Sequence, residues 1–164
     1  MKYEITDITK KKGVYRNGEL YDIDLHRIKA LKNFGNVKKG DLGGWIEKEE
    51  NLSQEGRCWV SEDAIVKDDA KVIEDAQVFG NAEVCGNAIV RHDAKVFGNA
   101  FITDNSQVSG NAKVFGNAKV QEEARVGEHS KIFGKAIIGG SMLTTGKTKL
   151  GGRTLLNNKS IFQD

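Results

Sequence analysis

The 164-residue chain contains no proline, so its 19 glycines do not belong to a Pro/Gly-rich disordered linker. Glycine without proline suits repeated tight turns between strands. Cysteine is scarce: Cys58 and Cys85 form no CxxC pair and no HxxxH spacing accompanies them, which leaves neither a disulfide framework nor a zinc cage. No run of about 18 apolar residues is present, and the opening MKYEITDITKKKG lacks the apolar stretch of a signal peptide. These absences point to a protein of a reducing cytoplasm without a membrane partner. A charge excess is missing as well. The net charge is +2; residues 1–50 carry 11 Lys/Arg against 9 Asp/Glu, and the remainder carries 14 of each. Any electrostatic specificity must therefore come from local stripes.

What the chain does have is a repeat. From Val60 an aliphatic residue recurs every six positions, through Val66, Val72, Val78, Val84, Val90, Val96, Ile102, Val108, Val114, Val120, Val126, Ile132 and Ile138. Four positions after each comes a small residue, mostly alanine. The register runs on through Thr144, Leu150, Leu156 and Phe162, with Thr148, Thr154 and Ser160 at the small positions. Glycine often stands two places after the aliphatic residue, and asparagine often follows it, as at Gly98-Asn99. A β-branched residue fills the interior of a short strand. Gly and Asn accept positive φ and let the chain turn a corner.

A second period sets the number of strands per coil. AQVFGNA (76–82), AKVFGNA (94–100), AKVFGNA (112–118) and SKIFGKA (130–136) recur every 18 residues. Three hexads per coil would stack these segments vertically. The fold expected is all-β: a β-solenoid of about six coils, roughly 25–30 Å long at ~4.8 Å per coil. These hexads resemble the hexapeptide-repeat family, and the resemblance implies a left-handed parallel β-helix. Residues 1–50 lack the hexad and are expected to form a small β-rich cap or head, with residues 51–164 as the coil. Within the head, VYRNGELY (14–21) reads as a hairpin turning at Asn17-Gly18, and LHRIKALKNF (25–34) as a strand in preference to a short helix. The leader through Val60 also resembles phage and prophage proteins, which implies a bacterial or viral origin but no reaction.

The family's best-known activity is acyl transfer, usually in trimers with a histidine base near a subunit interface. Here His92, beside Asp93, is the alternative catalytic candidate, with His129 at the same corner two coils away. No inserted loop interrupts hexads 60–138, so no cleft is expected and His92 reads as a solvated corner residue. The corner acids, among them Asp68, Asp69, Glu74, Asp75, Asp93 and Asp104, do not follow the stacked Gly-Asp pattern of calcium-binding rolls, and no cofactor motif occurs.

One outward face stands out. Steps of 18 align Phe79, Phe97, Phe115 and Phe133 in a column beside Lys95, Lys113 and Lys131. Rings one strand spacing apart can stabilise the column by stacking on one another; an exposed apolar stripe of this size also reads as an interface, and the two roles are compatible. The sequence is thus read as a non-enzymatic binding protein, presenting this face to a protein partner, to a second copy of itself, or, on weaker grounds, to nucleic acid. The phage-like leader suggests an inhibitor of a host defence protein, of the anti-CRISPR kind. The alternatives are an acyltransferase whose cleft forms only between subunits, and a structural or assembly protein.

Overall fold

The computed structural model describes residues 1–157 and the backbone of the strand Ile161–Phe162; Ser160 lies outside the described residues. The fold is all-β, a β-solenoid of about six turns built from three parallel sheets. The first face contains Ile65–Val66, Glu83–Val84, Phe101–Ile102, Lys119–Val120, Ile137–Ile138 and Leu155–Leu156. The second runs from Trp59–Val60 through Gln77–Val78, Lys95–Val96, Lys113–Val114 and Lys131–Ile132 to Lys149–Leu150. The third runs from Lys71–Val72 to Ile161–Phe162. Residues eighteen apart pair in register, as in Val78↔Val96, Val96↔Val114 and Val114↔Ile132.

The hexad explains why each coil closes. From residue 60 to 138 its aliphatic and alanine positions are buried in one continuous core column, with Leu150 and Leu156 partly buried at its end. Backbone donors reach the next coil: Lys95 N–H donates to the Ala112 carbonyl (2.9 Å), and Phe97 N–H to that of Val114 (3.0 Å). Burying one valine contributes about 1.5–3 kcal/mol, so the repeated column carries most of the apolar gain.

The corners correct one expectation. Asparagine does not take the left-handed φ; the residue before it does. Glycine fills many of these positions, but Asp68, Glu74, His92, Asp104, Glu122 and Glu128 fill others, with φ between 50° and 61°. Each of these side chains carries an acceptor and uses it on the corresponding corner eighteen residues later; Glu62, at φ 57°, shares the conformation without such a bond among the described residues. Asp104 Oδ2 accepts the Glu122 N–H at 2.8 Å and Glu128 Oε2 that of Gly146 at 2.7 Å, while Glu122 accepts the Gly140 N–H. Such a bond offsets the strain of a left-handed L-residue, about 1–2 kcal/mol.

The first fifty residues are built differently. Strands β1 (Tyr3–Arg16) and β2 (Glu19–Ala30) form a long antiparallel hairpin. Its turn has positive φ at both Asn17 and Gly18, as a type I′ turn requires. Strand β3 (Leu42–Ile46) pairs antiparallel with β2 and parallel with Ile65–Val66, which extends the first face to nine strands. Parallel pairing thus starts before Val60, with Ile46 opposite Val66 and Leu52 opposite Val72. This offset is two residues longer than that of later coils, and it is absorbed before Val60, which pairs with Val78.

The hairpin also lies against the outside of the first face. Val14, Ile23, Leu25 and Trp45 make a second small core there, with Ile65 packed on it. The Trp45 ring has Lys10 Nζ 4.3 Å and the Arg27 guanidinium 5.0 Å from its centre. Lys12 reaches Glu83 at 2.9 Å, and Arg16 bridges Glu47 and Asp68 at 2.9 and 2.7 Å. No helix among the described residues is long and apolar enough to cross a membrane.

Candidate functional site

The second face carries the residues singled out by the 18-residue spacing. Phe79, Phe97, Phe115 and Phe133 stack with ring centres 4.8, 4.9 and 5.5 Å apart and planes within 13° of parallel. The ring of Phe133 lies where a side chain on residue 151 would go, so Gly151 makes room for the end of the stack. Lys95, Lys113 and Lys131 stand in register beside the rings, and Lys149 continues their column. All four lysines are exposed, and the rings are half-buried. Because the rings cover one another's faces, they offer mainly their edges, the positive rim of the aromatic quadrupole, to a ligand.

At the N-terminal end this face becomes concave. The loop after β2 doubles back at Phe34 and Val37, whose backbone groups bond each other at 2.8 and 3.0 Å. Between this loop and the coil lies a cavity of about 330 Å³, lined by residues including Phe34, Val37, Trp59 and Gln77. An adjoining hollow of about 200 Å³ shares Asn36, Arg57 and Gln77 with it and adds Asp75, Asp93 and Lys95. Trp59 meets Phe34 edge to face at 5.3 Å. Arg57 holds Asp75 at 2.6 Å and keeps that carboxyl below the usual carboxylate range, so the groove wall carries a fixed ion pair. No loop inserted between hexads forms this groove; its outer wall comes from residues 34–42. The only sequence signal was Trp59 standing at an outward position beside a glycine-containing loop.

His92 occupies the corner next to this groove, at a left-handed φ of 57°. Its backbone N–H donates to Glu74 (2.7 Å), its Nδ1 accepts the Gly110 N–H (3.2 Å), and its Nε2 lies 3.4 Å from Glu74. The ring therefore joins three successive coils. A general base needs a free lone pair within reach of the proton it removes; the one on Nδ1 is spent on Gly110. His129 is exposed at the same corner, two coils on, and no bond engages its ring among the described residues.

The cysteines are not activated. Burial pushes the Cys58 thiol up, against the opposing pull of Lys2, whose Nζ lies 3.2 Å from Sγ. Burial does the same to Cys85, which rests 3.4 Å from the Thr103 hydroxyl. Both thiols stay protonated and poorly nucleophilic. Among the described residues no group of three His, Cys, Asp or Glu side chains is placed to hold a metal ion.

No family model matches the chain. Over 59 residues it is 34% identical to a protein named as an uncharacterised acetyltransferase, YdcK, of Escherichia coli (strain K12). The match covers 36% of this chain and 18% of that protein, so the chain spans less than a fifth of the relative it matches. Repeat, solenoid and relative fit a hexapeptide-repeat β-helix. This likeness corrects the expectation of a non-enzymatic inhibitor of host defence: the relative bears the name of an enzyme. The expected lack of a cleft is corrected too: a groove walled by residues 34–42 lies against the coil.

Proposed function

We propose that the chain is an acyltransferase of the hexapeptide-repeat kind, taking an acyl group from a coenzyme A thioester and completing its site between subunits. The similarity to a protein named as an acetyltransferase carries this reading. The acceptor's nucleophile attacks the thioester carbonyl, its proton passes to a base, and the coenzyme leaves as a thiol. His129 is the better base of the two corner histidines, because its ring is unspent while that of His92 holds Gly110 and faces Glu74. His92 acts as a positioning residue that fixes the corner beside the groove.

Calorimetric titration of the full chain with acetyl-coenzyme A, together with an assay of thiol release against a panel of amines and alcohols, tests the reading. Binding is expected with a dissociation constant in the range of about 10–100 μM, within the span of ordinary substrates. His129→Ala should keep binding and lose thiol release. His92→Ala should lower the melting temperature and weaken both only in part. No binding of coenzyme A up to about 1 mM, the upper end of usual substrate constants, would overturn the proposal.

A further inference from the structure

We infer that the second face is a docking surface for an extended, acidic segment of another protein, laid along the coil axis over the lysine column. This stands apart from the acyl-transfer reading and rests on charge. Near the N-terminus the cations that lie against the coil are paired: Lys12 with Glu83, Arg16 with Asp68, Lys48 with Asp69 and Arg57 with Asp75. Lys95, Lys113, Lys131 and Lys149 are treated otherwise. They sit directly above one another, exposed, with no ion pair among the described residues. Like charges one strand spacing apart, about 4.8 Å, repel, and an acidic ligand relieves that repulsion.

The neighbouring column narrows the choice of ligand. The phenylalanine rings are stacked within 2° at Phe79–Phe97 and Phe97–Phe115, so their faces are closed to nucleic-acid bases. Single-strand binding relies on such faces. The exposed ring edges are electropositive and add to the lysine field. A second copy laid antiparallel face to face would set lysine column against lysine column and leave the repulsion in place. An extended peptide fits the spacing. Side chains on one side of a strand recur at about 6.7 Å, so three alternating acids span about 13 Å, close to the three coil rises, about 14 Å, from Lys95 to Lys149.

The test uses the full chain and a fluorescent ten-residue peptide alternating glutamate and serine, read by anisotropy at low salt. Binding is expected, and Lys113→Glu with Lys131→Glu should weaken it at least about tenfold, as for charge reversal at a complementary interface. Lys71→Glu with Arg125→Glu, the same charge change on the third face, should alter it less than about twofold. The circular-dichroism melt of each variant shows whether the coil stays intact. Three results would overturn the inference: no binding of the peptide, equal loss in both double variants, or tighter binding of a ten-nucleotide oligo-dT through the same lysines.

Discussion

The two ends of the molecule obtain their order in opposite ways. From Val60 onward one rule is reused: aliphatic in, small residue in, left-handed corner, and each side chain meets its counterpart eighteen residues away. The first fifty residues have no such rule. They are held by individual long-range contacts, such as Tyr3 Oη donating to the Leu52 carbonyl at 2.7 Å and Lys12 to Glu83 at 2.9 Å. Repetition supplies a stiff face at little informational cost, whereas the irregular segment supplies the groove wall that the repeat cannot make.

The largest effect should come from breaking the repeat inside. Val96 is fully buried, and Val96→Asp places an unpaired charge in the column, costing several kcal/mol, of order 3–5. A circular-dichroism melt should show loss of the cooperative transition or a fall of well over ten degrees. An unchanged melting temperature would mean that the column is not the core.

The corner rule offers a finer comparison. Gly98 has φ +66°, and a side chain there would approach the Gly116 nitrogen at 2.9 Å. Gly98→Ala should cost about 1–2 kcal/mol or more. Gly98→Asp should cost less than Gly98→Ala, because its carboxylate can accept the Gly116 N–H as Asp104 accepts that of Glu122. The reverse order in denaturant melts would break the rule.

Thr144 marks a departure from the repeat that should be open to improvement. It takes an aliphatic position, is fully buried, and its hydroxyl has no partner among the described residues. Thr144→Val should stabilise by about 1 kcal/mol, since an unsatisfied buried hydroxyl is removed. A loss of stability would show that the hydroxyl is satisfied.

The smallest effect belongs to the irregular end. Burial works against the Asp68 carboxylate, yet Arg16 and Lys67 hold its titration below the ordinary range. Its contribution is therefore complete above the unfolded carboxylate value near 4 and is lost as pH falls through the lower folded value. Arg16→Ala should cost about 0.5–1 kcal/mol at pH 7, these groups being partly exposed. The gap from the parent protein should close as pH drops below about 4. A gap independent of pH would remove Asp68 from the account.

The same contrast explains what could be read from the residues alone. Val96, Ala94 and Phe97 announce their places because each has copies eighteen residues away, and Asn17-Gly18 announces its turn by its own backbone preference. Ile46 and Leu52 were hidden, although they face the core, because their pairing offset is two residues longer than the repeat. Neither the position of the hairpin over Trp45 and Ile65 nor the groove at Trp59 has a local signal. They depend on partners such as Lys12 and Glu83, 71 residues apart, that only the folded chain brings together. The corner acids are visible in the sequence, but their role as acceptors for the next coil depends on the vertical register, which no single residue announces.

That register can be measured directly by cross-linking. Lys95 pairs with Lys113 across adjacent coils, a spacing near the Cα separation a disulfide needs, about 4.4–6.8 Å. In a background with Cys58 and Cys85 replaced by alanine, Lys95→Cys with Lys113→Cys should oxidise to an intramolecular disulfide. Lys95→Cys with Arg125→Cys, on a different face, should not. Equal cross-linking in both pairs, or none in the first, would contradict the stacked coils on which the phenylalanine column, the lysine column and the corner bonds all depend.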